Sequence, residues 1–211
     1  QISISNRKRM IDLQNIQFRC TEPVDRSMEA RLPEDLRTVL HKINGFTAFR
    51  GGLHVRGACV APSWHSLETI WDGKFSLRRT YELLGEKDIP FAEDCMGDQF
   101  ILRDGMVYRL TLETAFLDPL GLSLDGFFAS ANEDPVEFLQ MHPLLRLEKE
   151  GKKLEPGQLI HAFPPYCTKE SAQGVSLKAV EANAQIDFEL DFFRQIRDIE
   201  DGGQIRIRVI D

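Results

Sequence analysis

The sequence predicts an α+β protein, and three observations predict it. Apolar residues recur at helical spacing in Leu36, Val39, Leu40 and Ile43, and again in Ile186, Leu190, Phe193 and Ile196. Between those stretches lie consecutive β-type runs at residues 89–92, 99–103 and 106–110, the last two joined by Asp104-Gly105. Two residues of the Asp-Gly type between apolar runs are the strongest short-range hairpin signal, so an antiparallel meander is expected there.

Taken in order, residues 1–31 form an N-terminal extension in which Leu13, Ile16 and Phe18 fit either one strand or the seam of a helix. A core at 32–140 opens with Leu32-Pro33-Glu34-Asp35. Proline at a first helical position followed by two acids suits the positive end of a helix, and Asn44-Gly45 stops that helix. Gly51-Gly52 precede a short strand at 53–56. Ser63 or Ser66 then caps a helix carrying Leu67, Ile70 and Trp71 that ends near Gly73, with helix and loop expected over 74–84. After the meander the chain past Leu117 reads as loop, followed by helices at 124–131 and from Asp134-Pro135 onward. A C-terminal extension, 141–211, packs on the same domain. It comprises a charged, solvated connector at 146–155, an apolar run at 159–163 ended by Pro164-Pro165, a helix, a break at Gly202-Gly203, and a final strand in which Ile205, Ile207 and Val209 alternate with polar residues.

The 211 residues carry a net charge of −7, and it is unevenly spread: +2 over 1–31, −7 over 32–140 and −2 over 141–211. Phosphate recognition draws its affinity from Lys and Arg, so a negative middle argues against nucleic acid as the direct partner and favours a basic protein. The longest run free of charged residues, 156–168, spans 13 positions with three prolines. A membrane-spanning helix needs about 20 apolar residues, so no span is expected. No apolar stretch follows Arg7-Lys8-Arg9 to make a signal peptide, and Cys20, Cys59, Cys95 and Cys167 have no framework-like spacing. A reducing, cytoplasmic location is the expectation.

Motifs for chemistry are missing from the chain. The five histidines, His41, His54, His65, His142 and His161, lie in no HExxH or Cys/His zinc pattern, so no metal or other cofactor is expected and the histidines read as surface or structural. Gly121-Leu122-Ser123-Leu124-Asp125-Gly126 misses the GxSxG elbow by one position, and the paired glycines match no phosphate-binding loop. Cys95, beside Asp94, lacks the positive surroundings of a reactive thiolate and reads as a packed bystander. Glu93, Asp94 and Asp98 cluster tightly, as turn residues or as an acidic binding edge. Trp64 and Trp71, seven apart, would share a face if they lay on one helix.

The order of features over 32–140 resembles the SUKH superfamily, in the branch named after a fungal regulator of cell-wall glucan synthesis. The residues that carry the resemblance are Leu32-Pro33, Asn44-Gly45, Gly51-Gly52, Trp64, Ile89-Pro90-Phe91-Ala92-Glu93-Asp94, Gly97-Asp98-Gln99-Phe100 and Val107-Tyr108. The resemblance implies an antiparallel or mixed sheet with helices packed alongside. It also implies a role in binding, since most bacterial members are regarded as immunity proteins that occupy a toxin, often a nuclease or deaminase. It carries no catalytic residue, and Trp64, Gly97 and Asp98 match its signature positions, each with a structural reason.

These readings converge on a non-enzymatic inhibitor of a basic toxin domain, binding through an acidic edge of Glu93, Asp94, Asp98, Asp118 and Asp125. A regulatory adaptor of cell-wall or envelope synthesis is the alternative from the family's other branch. A third is an enzyme whose site is assembled from distant residues such as His54, His161 and Asp94, which a cleft with converging, perturbed groups would favour.

Overall fold

In the computed structural model, residues 16–200, 202 and 203 are described. The molecule is built on a seven-stranded sheet in which every strand pairs antiparallel with its neighbours in the chain. The strands are β1 (Phe18–Arg19), β2 (Phe46–Ala48), β3 (Leu53–Val55), β4 (Ile89–Asp94), β5 (Gln99–Arg103), β6 (Met106–Thr111) and β7 (Phe116–Leu122). A second sheet pairs β8 (Gln158–Phe163) with β9 (Ser176–Glu181). The helices are α1 (Arg26–Glu29), α2 (Glu34–Lys42), α3 (Leu67–Trp71), α4 (Leu124–Glu133), α5 (Pro135–Phe138), α6 (His142–Lys149) and α7 (Ala182–Ile196). The α+β class is as the sequence predicts. Among the described residues, no helix is long and apolar enough to cross a membrane.

Local signals explain much of this. Asp104 and Gly105 both have positive φ, 50° and 77°, as the two-residue hairpin between β5 and β6 requires. Pro33 stands just before α2, whose Leu36, Val39 and Leu40 face the core, and Gly45 (φ +79°) follows its end. Asp134 caps α5 by accepting from Glu137 N at 3.2 Å. Helix α4 drives Phe127 and Phe128 against the meander: Phe127 meets Phe100 at 4.7 Å and Phe91 at 5.4 Å between ring centroids, and Phe128 meets Phe46 at 6.3 Å. Edge-to-face contacts of this kind add to the area buried.

Five expectations need correction or refinement. The segment past Leu117 is not loop but strand β7; Asp118 and Pro119 read as breakers, yet β7 is the last strand of the sheet, where a proline is tolerated. The charged connector is helical over its first part, because Leu144 and Leu147 are fully buried beneath α6 and its charges point away. Trp64 and Trp71 do not share a helix: Trp64 lies in the turn before α3 and Trp71 ends it. Ser66 occupies the position before α3, but its side chain makes no capping hydrogen bond. The described part of residues 1–31 belongs to the main body, since β1 extends the sheet and Met28 joins the core. Strands β2 and β9 carry no sequence-based expectation. Leu13 and the final strand at 205–209 lie outside the described residues.

The C-terminal segment is tied to the sheet next to the β4–β5 turn. Ile160 N donates to Cys95 O at 2.8 Å, and a Cβ on Gly97 (φ +99°) would lie 3.2 Å from Leu159 Cδ1 and 3.4 Å from Ile186 Cδ1. Helices α6 and α7 thereby come to stand over one end of β4, β5 and β6.

Candidate functional site

Between that end of the sheet and the two helices lies a cleft of about 580 Å³, with Asp94, Asp98, Arg109, Glu113, Arg146 and Glu189 among its walls and Met96, Pro143 and Tyr166 supplying apolar surface. Asp94 ends β4. Its Oδ1 accepts from the backbone N–H groups of Met96 (2.8 Å), Gly97 (3.0 Å) and Asp98 (3.1 Å), which folds the turn around it, and its Oδ2 pairs with Arg109 of β6. Asp98 Oδ1 accepts from Leu112 N at 3.0 Å, while its Oδ2 stands 3.8 Å from Arg109 Nε, too far for a hydrogen bond. Glu113 is engaged by the loop after β8, accepting from Tyr166 N (3.2 Å) and Cys167 N (2.9 Å).

Glu189 is the unusual member. It sits on α7, 6% exposed, and Oε1 accepts from Gln185 Nε2 at 2.6 Å, but Oε2 is buried without a partner. Arg109 Nε, also buried, has none either. Burial, together with the nearby Glu113, Asp98 and Asp94, pushes the Glu189 carboxyl well above the usual carboxylate range. Burial and the Asp94 charge raise the Asp98 carboxyl to about 7. The cleft therefore holds more carboxyl groups than its arginines can neutralise, and Glu189 keeps its proton unless a positive group is brought to it.

A second polar cluster, beneath β3 and β4, is sealed. Glu93, 1% exposed, pairs with Arg56 through one oxygen and accepts from His54 Nδ1 through the other at 2.7 Å; Gln99 Nε2 adds a third bond at 3.0 Å. His54 Nε2 meets His65 Nδ1 at 2.8 Å. Burial is the largest influence on Glu93 and opposes ionisation, but Arg56 and His54 outweigh it and hold the carboxyl at about 2. Burial keeps both histidines neutral, His65 down to about 3. Trp64, partly buried, covers the pair at 5.1 Å from His54 and 5.3 Å from His65, and Phe18 of β1 packs against both Trp64 (5.0 Å) and His65 (4.9 Å).

The expected acidic edge is not one surface. Glu93 and Asp94 are 1% exposed and neutralised by Arg56, just past the end of β3, and by Arg109 of β6, which reaches Asp94 from two strands away. Asp118 and Asp125 are exposed, on β7 and α4 respectively, and neither lines the cleft. Asp98 alone of the five both lines the cleft and remains partly accessible, with 20% of its side chain exposed. Of the three signature positions, Trp64 packs over the histidines, Gly97 makes the turn and Asp98 accepts from the backbone of Leu112, just past the end of β6. Nor are His54, His161 and Asp94 assembled into one site: His54 belongs to the sealed cluster and His161 bonds Gln185 at 2.9 Å, while Asp94 pairs with Arg109.

Sequence reasoning missed Glu189, Arg109 and Glu113. One signal was present: Gln185 and Glu189, four apart, sit on the same stripe of α7 as Ile186 and Leu190, and a polar pair inside an apolar stripe must be used for something.

No protein-family model matches the chain, and no curated protein matches it. The crystal structure of Atu4351 from Agrobacterium tumefaciens is similar in fold, with a TM-score of 0.52 and 13% sequence identity over 83% of this chain and 85% of that one. That likeness concerns the fold alone.

Proposed function

We propose that this protein is a non-enzymatic inhibitor, an immunity protein of the SUKH type, that neutralises a basic toxin by direct binding and receives a Lys or Arg side chain of that toxin in the cleft between β4–β6 and α6–α7. The observation that carries the reading is the unpartnered, buried Glu189 carboxyl oxygen, on a residue lining a cleft that already holds Asp94, Asp98 and Glu113. A guanidinium or ammonium group brings donors and positive charge to that place. The excess negative charge of residues 32–140 supports the same choice of partner, because complementary fields speed encounter. The class of partner, a toxin acting on nucleic acid, rests on the resemblance of residues 32–140 and on the basic channels such toxins need.

Co-expression tests it. The chain is expected to protect cells against an effector encoded beside it and to co-purify with that effector; Glu189→Gln and Asp98→Asn are expected to lower the affinity by about tenfold each, the scale of one lost charge-assisted bond. Failure to protect against, or bind, any neighbouring effector removes the proposal. Unchanged affinity in both variants removes the cleft from it.

A further inference from the structure

The three residues Cys20, Cys59 and His65 come from separate parts of the chain: Cys20 follows β1, Cys59 lies in the loop after β3, and His65 precedes α3. We propose that they form a binding site for a single thiophilic divalent cation of the zinc class, held by two sulfurs and His65 Nε2, with a fourth position left for water or another donor. The inference is independent of the cleft and of the partner proposed above.

Geometry carries it. The three ligand atoms all lie within 4.8 Å of one another, and Cys20 Sγ stands 3.9 Å from Cys59 Sγ. Two thiolates bound to one tetrahedral zinc at ~2.3 Å each are about 3.8 Å apart, so the sulfurs already have the separation a metal imposes. A disulfide would require them to close to about 2.0 Å.

The hydrogen-bond relay behind His65 orients it for this use. Glu93, fixed by Arg56 and Gln99, accepts from His54 Nδ1–H; His54 Nε2 is then an acceptor and takes the proton of His65 Nδ1. That order leaves Nε2 of His65 with a bare lone pair. Nε2 stands at hydrogen-bond distance, 3.0 Å, from the carbonyl oxygen of Asn44, to which only an Nε2–H could donate, so a cation bound through the lone pair of this tautomer takes the place of that contact. A ligating histidine whose other nitrogen is held by a carboxylate relay is the usual second layer of a metal centre.

Two glycines keep the place open. A Cβ on Gly57 would lie 2.8 Å from His65 Nε2 and 3.1 Å from Cys59 Sγ, and one on Gly45 would lie 2.5 Å from the same nitrogen. An adjoining surface cavity of about 440 Å³, lined by Cys20, Glu22 and Asn44 among others, gives a route from solvent. The cation would fasten β1, which is held to β2 over only two residue pairs, to the loop that follows β3.

The full-length chain, reduced and stripped with a chelator, is titrated with Co²⁺ and then Zn²⁺. One equivalent of Co²⁺ is expected, with thiolate-to-metal charge transfer in the near ultraviolet and tetrahedral visible bands that Zn²⁺ bleaches. Cys20→Ser, at a half-buried position, is expected to abolish the charge-transfer band of one sulfur and the Zn²⁺-dependent rise in thermal midpoint. His54→Gln, which touches no metal, is expected to weaken binding by about 10–100-fold. Cys167→Ser, elsewhere on the surface, should leave the titration unchanged. Absence of charge transfer in the reduced wild-type chain overturns the site, and so does an unaltered spectrum and affinity in Cys20→Ser, whose fold is checked by circular dichroism without metal.

Discussion

Burial raises the carboxyls of both Glu93 and Asp98, and their neighbours then send them in opposite directions. Glu93 is fully enclosed but surrounded by donors, and its carboxyl falls to about 2; Asp98 has burial and then the Asp94 charge acting the same way, and its carboxyl rises to about 7. Removing Arg56 as Arg56→Met leaves a buried charge uncompensated, and a loss of about 3–5 kcal/mol in urea denaturation is expected. The depressed Glu93 carboxyl contributes stability that is present above about pH 4.5 and lost as pH falls toward 2. Asp98 has the reverse sign. Its folded-state carboxyl is raised, so the native state holds the extra proton between about pH 4 and 7, and stability is lost as pH rises through that window. Against wild type, Asp98→Asn is therefore expected to gain stability progressively from pH 4 to 7, read as the difference in urea midpoints across pH. A constant difference across that range would contradict the assignment.

At the level of elements, the turn between β4 and β5 couples the sheet to the C-terminal segment. Gly97→Ala places a Cβ at positive φ and against Leu159 and Ile186, and a loss of about 1–2 kcal/mol is expected from the backbone alone. Leu147→Ala, on the buried face of α6, is expected to cost about 2–5 kcal/mol and to loosen the cleft wall that carries Arg146. Both are measured by thermal or urea unfolding. The meander was legible in the sequence because its hairpin depends on Asp104-Gly105, a purely local requirement, and α2 and α7 were legible because their apolar residues repeat at helical spacing. Strand β7 was not, since Pro119 and Gly121 carry loop signals and only pairing with β6 decides otherwise. Helix α6 was hidden by its charges: the leucines that define it are buried by tertiary packing, which a short charged window does not reveal. The cleft was least legible. Asp94 and Asp98 were visible as a local cluster, whereas Arg109 and Glu189 reach it from β6 and α7, and only the folded chain brings them together. The same holds for Cys20, Cys59 and His65, whose spacing of 39 and 6 positions matches no metal-binding pattern.

For the molecule as a whole, charge and site tell one story. A chain of net charge −7, equal to the excess over residues 32–140, presents a cleft in which one buried carboxyl oxygen, on Glu189, has no partner. Association with a basic protein should be fast at low salt and slow as ionic strength rises, because screening shortens the reach of the field to about 8 Å at physiological salt. Charge reversal of exposed Asp118 or Asp125, which stand outside the cleft, should change the association rate only modestly. The most direct test of the central claim is the affinity of the wild-type chain and of Glu189→Gln for an effector encoded beside it, measured with the folded state of both verified. The account predicts a stable complex for wild type and a dissociation constant about tenfold higher for the variant, with most of the change in the dissociation rate. Equal affinities, or no complex at all, would contradict it.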